Sequence, residues 1–217
     1  MSDQTATTIG RERIAELLAP FVGADPLADF QISAIKNYID LLLKWNAKLN
    51  LTSIRDPEKI VTRHFGESLF AAKQLFPAGD SRESAIDIGS GAGFPGIALK
   101  LWAPHLELTL IESHQRKATF LREAIRAIDL TSIAVLSQRA ESVSLQVDLV
   151  TFRAVEHFER ILPVALRLVR PGGRIALMIG EGQIQVAHAA LETVLWHRPL
   201  SIPQSRNEMV MIGEQPS

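Results

Sequence analysis

Asp87-Ile88-Gly89-Ser90-Gly91-Ala92-Gly93-Phe94-Pro95-Gly96 is the stretch of this chain with the most chemistry in it. Its glycines let the backbone turn tightly and approach a ligand without a Cβ in the way. Gly91-x-Gly93-x-x-Gly96 satisfies the dinucleotide fingerprint, and Glu112 follows about 20 residues on, where an acid that holds ribose hydroxyls belongs. Two cofactor classes therefore compete. A nicotinamide or flavin needs free N–H groups for its pyrophosphate, and Pro95 has none. S-adenosylmethionine carries an ammonium and a sulfonium, which suit the carboxylate of Asp87 two residues before the first glycine. The loop thus points to S-adenosylmethionine, with a nicotinamide cofactor or a ligand-free turn as the alternatives. Gly89, Gly91 and Phe94 are expected beside the cofactor.

Other candidates follow the loop along the chain. Glu112 is expected to accept from the ribose hydroxyls, or else to be a solvated strand-end residue. Arg139-Ala140-Glu141 comes after a third apolar segment; Ala140 is expected to offer a backbone N–H and Glu141 a carboxylate to the adenine. Arg153 ends a fourth apolar segment and is placed for the cofactor, for the acceptor, or for a structural ion pair. Basic residues gather in Arg116, Lys117, Arg122 and Arg126, in Arg63-His64, and in Lys44 and Lys48 around Trp45. Such groups can neutralise phosphates or lie on a solvated helix face. Trp45 reads as interhelical packing rather than a platform for a base. The six histidines are scattered and cysteine is absent, so no metal site, disulfide or thiol nucleophile is expected.

Strand–helix alternation must position these residues. Ser84–Ile88, Leu106–Glu112, Ile133–Leu136, Asp148–Phe152 and Arg174–Ile179 read as strands. Between and after them, Gly96–Trp102, Gln115–Ile128, His157–Val169 and Gln183–Leu195 read as helices. That order predicts an α/β fold with a mostly parallel sheet covered on both faces. Trp196–Ile202 and Asn207–Ile212 flank a turn and predict a final antiparallel hairpin. Residues 1–80 predict a helical extension packed on the domain formed by residues 81–217. Ile14, Leu17, Leu18 and Phe21 have helical spacing, as do Ile32, Ile35, Ile39, Leu42 and Leu43. Asp56-Pro57 starts another helix, running toward His64 and resuming over Leu69–Phe76. Met1–Gly10 is polar and reads as a frayed end without a signal-peptide core.

Of the 217 residues, 47% are hydrophobic and 22% charged, which suits one sizeable globular core. The formal net charge of −1 argues against a wide basic footprint but leaves room for a local patch. No apolar run reaches the ~20 residues that span a bilayer. A soluble, cytoplasmic monomer is expected.

The motifs together resemble one family. Trp45-Asn46-x-x-x-Asn50-Leu51-Thr52-Ser53-Ile54, Asp56-Pro57 and Arg63-His64-Phe65-x-x-Ser68-Leu69 resemble the N-terminal part of the bacterial 16S ribosomal RNA guanine-N7 methyltransferases, the RsmG (GidB) family. The glycine loop, Glu112-Ser113, Arg116-Lys117 with Phe120-Leu121, Arg139-Ala140-Glu141 and Arg153-Ala154 follow in the family's order. The resemblance spans roughly Leu41–Ala154. It implies a Rossmann-like class I methyltransferase fold, S-adenosylmethionine as cofactor, and methyl transfer to N7 of a guanine in 16S ribosomal RNA or the small subunit. A methyltransferase of small molecules or proteins is the alternative. No catalytic base is expected, because guanine N7 carries a lone pair and no proton. Arg63, His64, Arg116 and Lys117 become the expected RNA contacts. Two departures stand out: Glu67 replaces the family's usual Asp before Ser-Leu, and Ile179-Gly180-Glu181-Gly182 lacks a lysine usual after the fifth strand.

Overall fold

The computed structural model describes residues 9–217. The frayed end expected for Met1–Gly10 lies outside the described residues up to Thr8; Ile9 itself is buried. Four helical segments come first: α1 (Arg11–Val22), α2 (Asp29–Leu49), α3 (Pro57–Ile60) and α4 (Glu67–Leu75). The apolar stripe of α2 buries Ile32, Ile35, Ile39 and Leu42, as the spacing predicts, and adds Tyr38. Asp56 caps α3, its carboxylate accepting from the N–H groups of Glu58 and Lys59.

No break separates α3 from α4. Val61–Gly66 joins them as a π-helical turn, a geometry rare in proteins and frequent at functional sites. Its last residue, Gly66, lies against the Phe21 ring, where a Cβ would come within 2.6 Å of ring carbons.

Then β1 (Ser84–Ile88), α5 (Gly96–Trp102), β2 (Glu107–Ile111), α6 (Gln115–Ala127), β3 (Ile133–Leu136), β4 (Val147–Arg153), α7 (Phe158–Leu168) and β5 (Val169–Gly180) alternate. They are followed by α8 (Ile184–Ala190), two short strands β6 (Leu195–Trp196) and β7 (Leu200–Ser201), and β8 (Glu208–Glu214). The sheet order is β3-β2-β1-β4-β5-β8-β6, with β7 also on β8. Strands β1 to β5 are parallel; β8 runs antiparallel to β5. The fold is thus the mostly parallel α/β sheet with an antiparallel C-terminal arm that the sequence predicts.

Most boundaries fall within two residues of expectation, and three differences are larger. β5 begins at Val169 rather than Arg174, because Val169 pairs with Val147 across an irregularity in the ladder. The last helix stops at Ala190 instead of reaching Leu195: Val194 is needed against Gly213 of β8, where a Cβ would come within 2.4 Å of its methyl group. The first arm of the final hairpin is interrupted, so β6 and β7 pair with opposite ends of β8.

Two layers cover the sheet. One face (Ala85, Leu108, Leu110, Leu149) packs against α1, α2, α4, α5 and α6 in a single cluster with Ile14, Ile35, Leu42 and Leu69. The N-terminal helices therefore share the core of the sheet. The opposite face (Ile86, Ile88, Val150, Phe152, Leu177) packs on α7 and α8 through Leu162, Ala165 and Ala187.

Candidate functional site

Strand register assembles the site. Ile88 pairs with Ile111 on one side and with Phe152 on the other. The next residues, Gly89, Glu112 and Arg153, consequently emerge side by side from the carboxyl ends of three neighbouring strands. Connections leave β1 and β4 toward opposite sides there, the switch point at which open parallel sheets bind ligands.

The glycine loop divides into an open and a closed half. Gly89 is exposed and Gly91 half-buried, whereas residues 92–96 are buried. Gly89, Gly91 and Gly93 all take positive φ, at +65°, +54° and +87°. A Cβ at Gly91 would meet no atom closer than 3.7 Å, so its face is free for a ligand. A Cβ on Gly93 would lie 2.5 Å from the Tyr38 hydroxyl and 2.7 Å from Ile97. One on Gly96 would lie 2.5 Å from Leu110 and 2.8 Å from the Asp87 carboxylate. The fingerprint glycines Gly93 and Gly96 are thus required by internal packing, Gly91 presents open backbone, and Gly89 is exposed although a Cβ there would come within 3.0 Å of Val155.

Where the loop's N–H groups go separates the two cofactor classes. Ser90 N–H donates to the Ile111 carbonyl, Gly91 N–H to Glu112 Oε2 (2.9 Å), Gly93 and Phe94 N–H to the Ser90 carbonyl, and Gly96 N–H to Asp87 Oδ2 (3.2 Å). A pyrophosphate cradle needs such donors free; here internal acceptors hold those of Ser90, Gly91, Gly93, Phe94 and Gly96, and Pro95 has none to give.

The acids fit a cationic, hydroxyl-bearing ligand instead. Asp87 is fully buried, and its Oδ1 has no partner. Burial pushes its pKa up to about 7, against the pull of Ser90 and the Gly96 N–H. A nearby cation would relieve that cost. Glu112 is buried and accepts from Gly91 N–H through one oxygen and from His114 N–H (2.7 Å) through the other. Each oxygen keeps a further lone pair, so both are available to ribose hydroxyls. Ala140 and Glu141 lie in a 3-10 turn (Ala140–Ser142), Ala140 buried and Glu141 exposed. Arg167 ties this turn to α7 through the carbonyls of Glu141 (3.1 Å) and Val143 (2.8 Å).

Two expected cofactor contacts are placed otherwise. The Phe94 ring turns inward, into a cluster with Tyr38, Phe65 and His64, since an aromatic ring gains more in that apolar layer than at the open loop. Arg153 turns from the cofactor loop toward the N-terminal helices. Its Nη1 donates to the Arg63 carbonyl (2.8 Å), and its Nη2 forms an ion pair with Glu67. Of the three roles open to Arg153, the structure shows the ion pair.

The π-helical turn and the first turn of α6 carry the remaining candidates. Arg63 pairs with Glu67 (3.0 Å), its side chain 39% exposed. His64 stacks on Phe94 with centroids 5.0 Å apart, and its Nε2 meets Thr52 Oγ1 at 2.8 Å. Burial, with the Arg153 and Arg63 charges, depresses the imidazole to about 3, so the ring is neutral near pH 7. Arg116 is exposed and Lys117 half-buried on the first turn of α6, just past Glu112. Arg122 folds back to the Val135 carbonyl (3.1 Å) and acts as a brace. Trp45 does pack between helices, its Nε1–H donating to Glu123 of α6 (3.1 Å). At the Glu181-Gly182 turn, Glu181 N–H donates to the Asn207 carbonyl, which places exposed Arg206 next to it.

Two participants were not among the site residues expected from the sequence, although Asn46 and Thr52 fall within the first family motif. Tyr38 anchors the loop from below by donating to the Ala92 carbonyl; its one clue is that the only tyrosine of the chain falls on a helix's buried stripe. Thr52 holds His64, and Asn46 holds Thr52 through both main-chain groups (3.0 and 2.8 Å). Among the described residues no group of three or more His, Asp or Glu could hold a metal ion, and no helix is long and apolar enough to cross a membrane.

The family model for rRNA small subunit methyltransferase G matches residues 31–210. The chain belongs to that family. The ribosomal RNA small subunit methyltransferase G of Roseiflexus castenholzii is 44% identical over 202 residues, covering 86% of this chain and 85% of that one. The protein of the same name from Chloroflexus aggregans is 39% identical over 180 residues, covering 78% and 74%. In fold, a SAM-dependent O-methyltransferase from Thermotoga maritima superposes with a TM-score of 0.58 at 15% identity, covering 81% of this chain and 71% of that one. The fold is the Rossmann-like class I methyltransferase fold, and the chain is an S-adenosylmethionine-dependent methyltransferase. Within that family assignment, the matched region takes in the glycine loop, the π-helical turn and β8 as far as Val210, so every element that builds the site lies inside it.

Proposed function

We propose that this chain transfers the methyl group of S-adenosylmethionine to N7 of a guanine in small-subunit ribosomal RNA, as a cytoplasmic monomer. Family membership with relatives so named supports the acceptor class. The observation that carries the cofactor assignment is the glycine loop, where Glu112 and Asp87 take the N–H groups of Gly91 and Gly96 while Asp87 keeps an unpartnered buried oxygen. In this reading Asp87 and Glu112 flank the cofactor, Gly89 and Gly91 let it approach the backbone, and Ala140 and Glu141 border its adenine.

The bound cofactor supplies both the electrophilic methyl group and the leaving group. Guanine N7 attacks with its own lone pair, so the protein has no proton to remove. What remains for its residues is alignment and electrostatics. His64, neutral and held between Thr52 and Phe94, adds no positive charge where the cationic N7-methylguanine forms. Arg63, Arg116 and Lys117 provide the local basic rim that an RNA strand requires on a chain of net charge −1.

The test is incubation with labelled S-adenosylmethionine and undermethylated small ribosomal subunits, followed by mapping of the modified base. Label at guanine N7 is expected. Label confined to protein or small molecules would overturn the acceptor assignment.

A further inference from the structure

Among the charged groups at the site, Glu67 has the least obvious reason to be there. Its side chain is 2% exposed, it begins α4 directly after the π-helical turn, and it takes one arginine on each carboxylate oxygen. Oε1 faces Arg63 Nη1 at 3.0 Å, and Oε2 pairs with Arg153 Nη2. Arg153 is itself mostly covered, at 15% exposed, and also donates to the Arg63 carbonyl. Glu208, at the start of β8, lies within electrostatic reach of Glu67 and Arg153.

The two arginines are not equivalent. Arg153 spends Nη1 and Nη2 inside the protein. Arg63 touches Glu67 through Nη1 and makes no side-chain hydrogen bond to any other described residue, while 39% of its side chain is open to solvent. Glu67 offsets the buried Arg153 charge, and the Arg63 charge remains at the surface. A half-exposed, oriented guanidinium with donors to spare at the carboxyl edge of the sheet suits an anion with two acceptor oxygens.

We infer that Glu67 is a positioning residue for RNA: it fixes Arg63, against Arg153 as a backstop, so that Arg63 takes a backbone phosphate of the acceptor strand. This rests on the proposed ribosomal RNA acceptor. The phosphate contact adds binding common to ground and transition states, so it belongs in KM rather than kcat.

Glu67→Gln keeps the side-chain shape and removes the charge. With undermethylated small subunits, KM should rise about tenfold, with kcat within about threefold and the S-adenosylmethionine Kd within about twofold. The slope of log KM against log salt should become shallower by about 0.7 to 0.9, the loss of one phosphate contact. Glu67→Asp keeps the charge and should bring KM back to within about threefold of the parent. Arg63→Ala leaves the Glu67–Arg153 pair in place, so it stays informative if Glu67→Gln fails to fold. It should give the same KM and slope, and Glu67→Gln on top of it should add less than about twofold.

An unchanged KM and salt slope in Arg63→Ala, or additive effects in the double variant, would overturn the inference. So would a raised KM with an unaltered slope, which would mean that Arg63 meets a base rather than a phosphate. If the parent enzyme places no label in RNA, the acceptor assignment itself fails; if the parent labels RNA and Arg63→Ala behaves like it, only the role of Glu67 and Arg63 is lost.

Discussion

Gly93→Ala would test whether the glycine loop is held from inside, because a single methyl group enters a space with three occupants. The new Cβ would stand 2.5 Å from the Tyr38 hydroxyl, 2.7 Å from Ile97 Cγ1 and 3.2 Å from Leu121 Cδ2. Overpacking of this kind costs about 1–3 kcal/mol. The φ of +87° adds about 1–2 kcal/mol for an L side chain. Displacing Tyr38 also strands the buried Ala92 carbonyl, a further cost of about 1 kcal/mol or more. We expect a total near 4 kcal/mol, which for a chain of this size lowers Tm by about 10 °C. Gly91→Ala is the control, with φ of +54° and no atom closer than 3.7 Å. It should lose only about 1 kcal/mol. Urea denaturation followed by circular dichroism reads both. Equal losses in the two variants, or a Gly93→Ala protein within about 1 kcal/mol of the parent, would refute the division of the loop into a core half and a ligand half.

Gly91→Asp should keep the fold and abolish S-adenosylmethionine binding in calorimetry, since aspartate tolerates positive φ but its carboxylate would fill the open face beside Glu112; retained affinity would contradict the site. Tyr38→Phe should cost about 1–3 kcal/mol by leaving the Ala92 carbonyl unpaired, and a neutral result in denaturation would mean that the hydroxyl does not anchor the loop. His64 should show no imidazole titration by NMR between pH 8 and 5, because its pKa is pushed down to about 3; a midpoint near 6.5 would refute its burial between Thr52 and Phe94. Asp87 has its pKa raised from 3.8 to about 7, so the folded state holds the proton more tightly than the unfolded one. The resulting stability is full below pH 3.8 and is lost as pH rises to about 7, by at most about 4 kcal/mol. Asp87→Asn should therefore gain on the parent between pH 5 and 8, and parallel pH profiles of the two proteins would refute this.

The sequence by itself determined the elements and the ligand class. The alternation of short apolar segments and turn residues placed β1, β3 and α5 at their observed bounds, because an apolar run marks a buried segment whatever it is buried against. Asp87, Gly89, Gly91 and Glu112 were legible as the candidate cofactor site for a similar reason: positive-φ glycines and strand-end acids are local requirements of one turn and its neighbour. The limits of local reading show in Phe94 and Arg153. Both sit in sequence where a ligand contact is expected, yet Phe94 faces Tyr38 and Phe65, and Arg153 faces Glu67, 86 residues away in the chain. Side-chain direction there depends on helices from a distant part of the chain, and the sheet order, the π-helical turn that sets Arg63 and His64 on the rim, and the Tyr38 anchor beneath the loop are likewise long-range. The asymmetry between Gly91, open to a ligand, and Gly93, closed by Tyr38, Ile97 and Leu121, was likewise decided by tertiary structure alone, since the same residue type answers two different crowding constraints two positions apart.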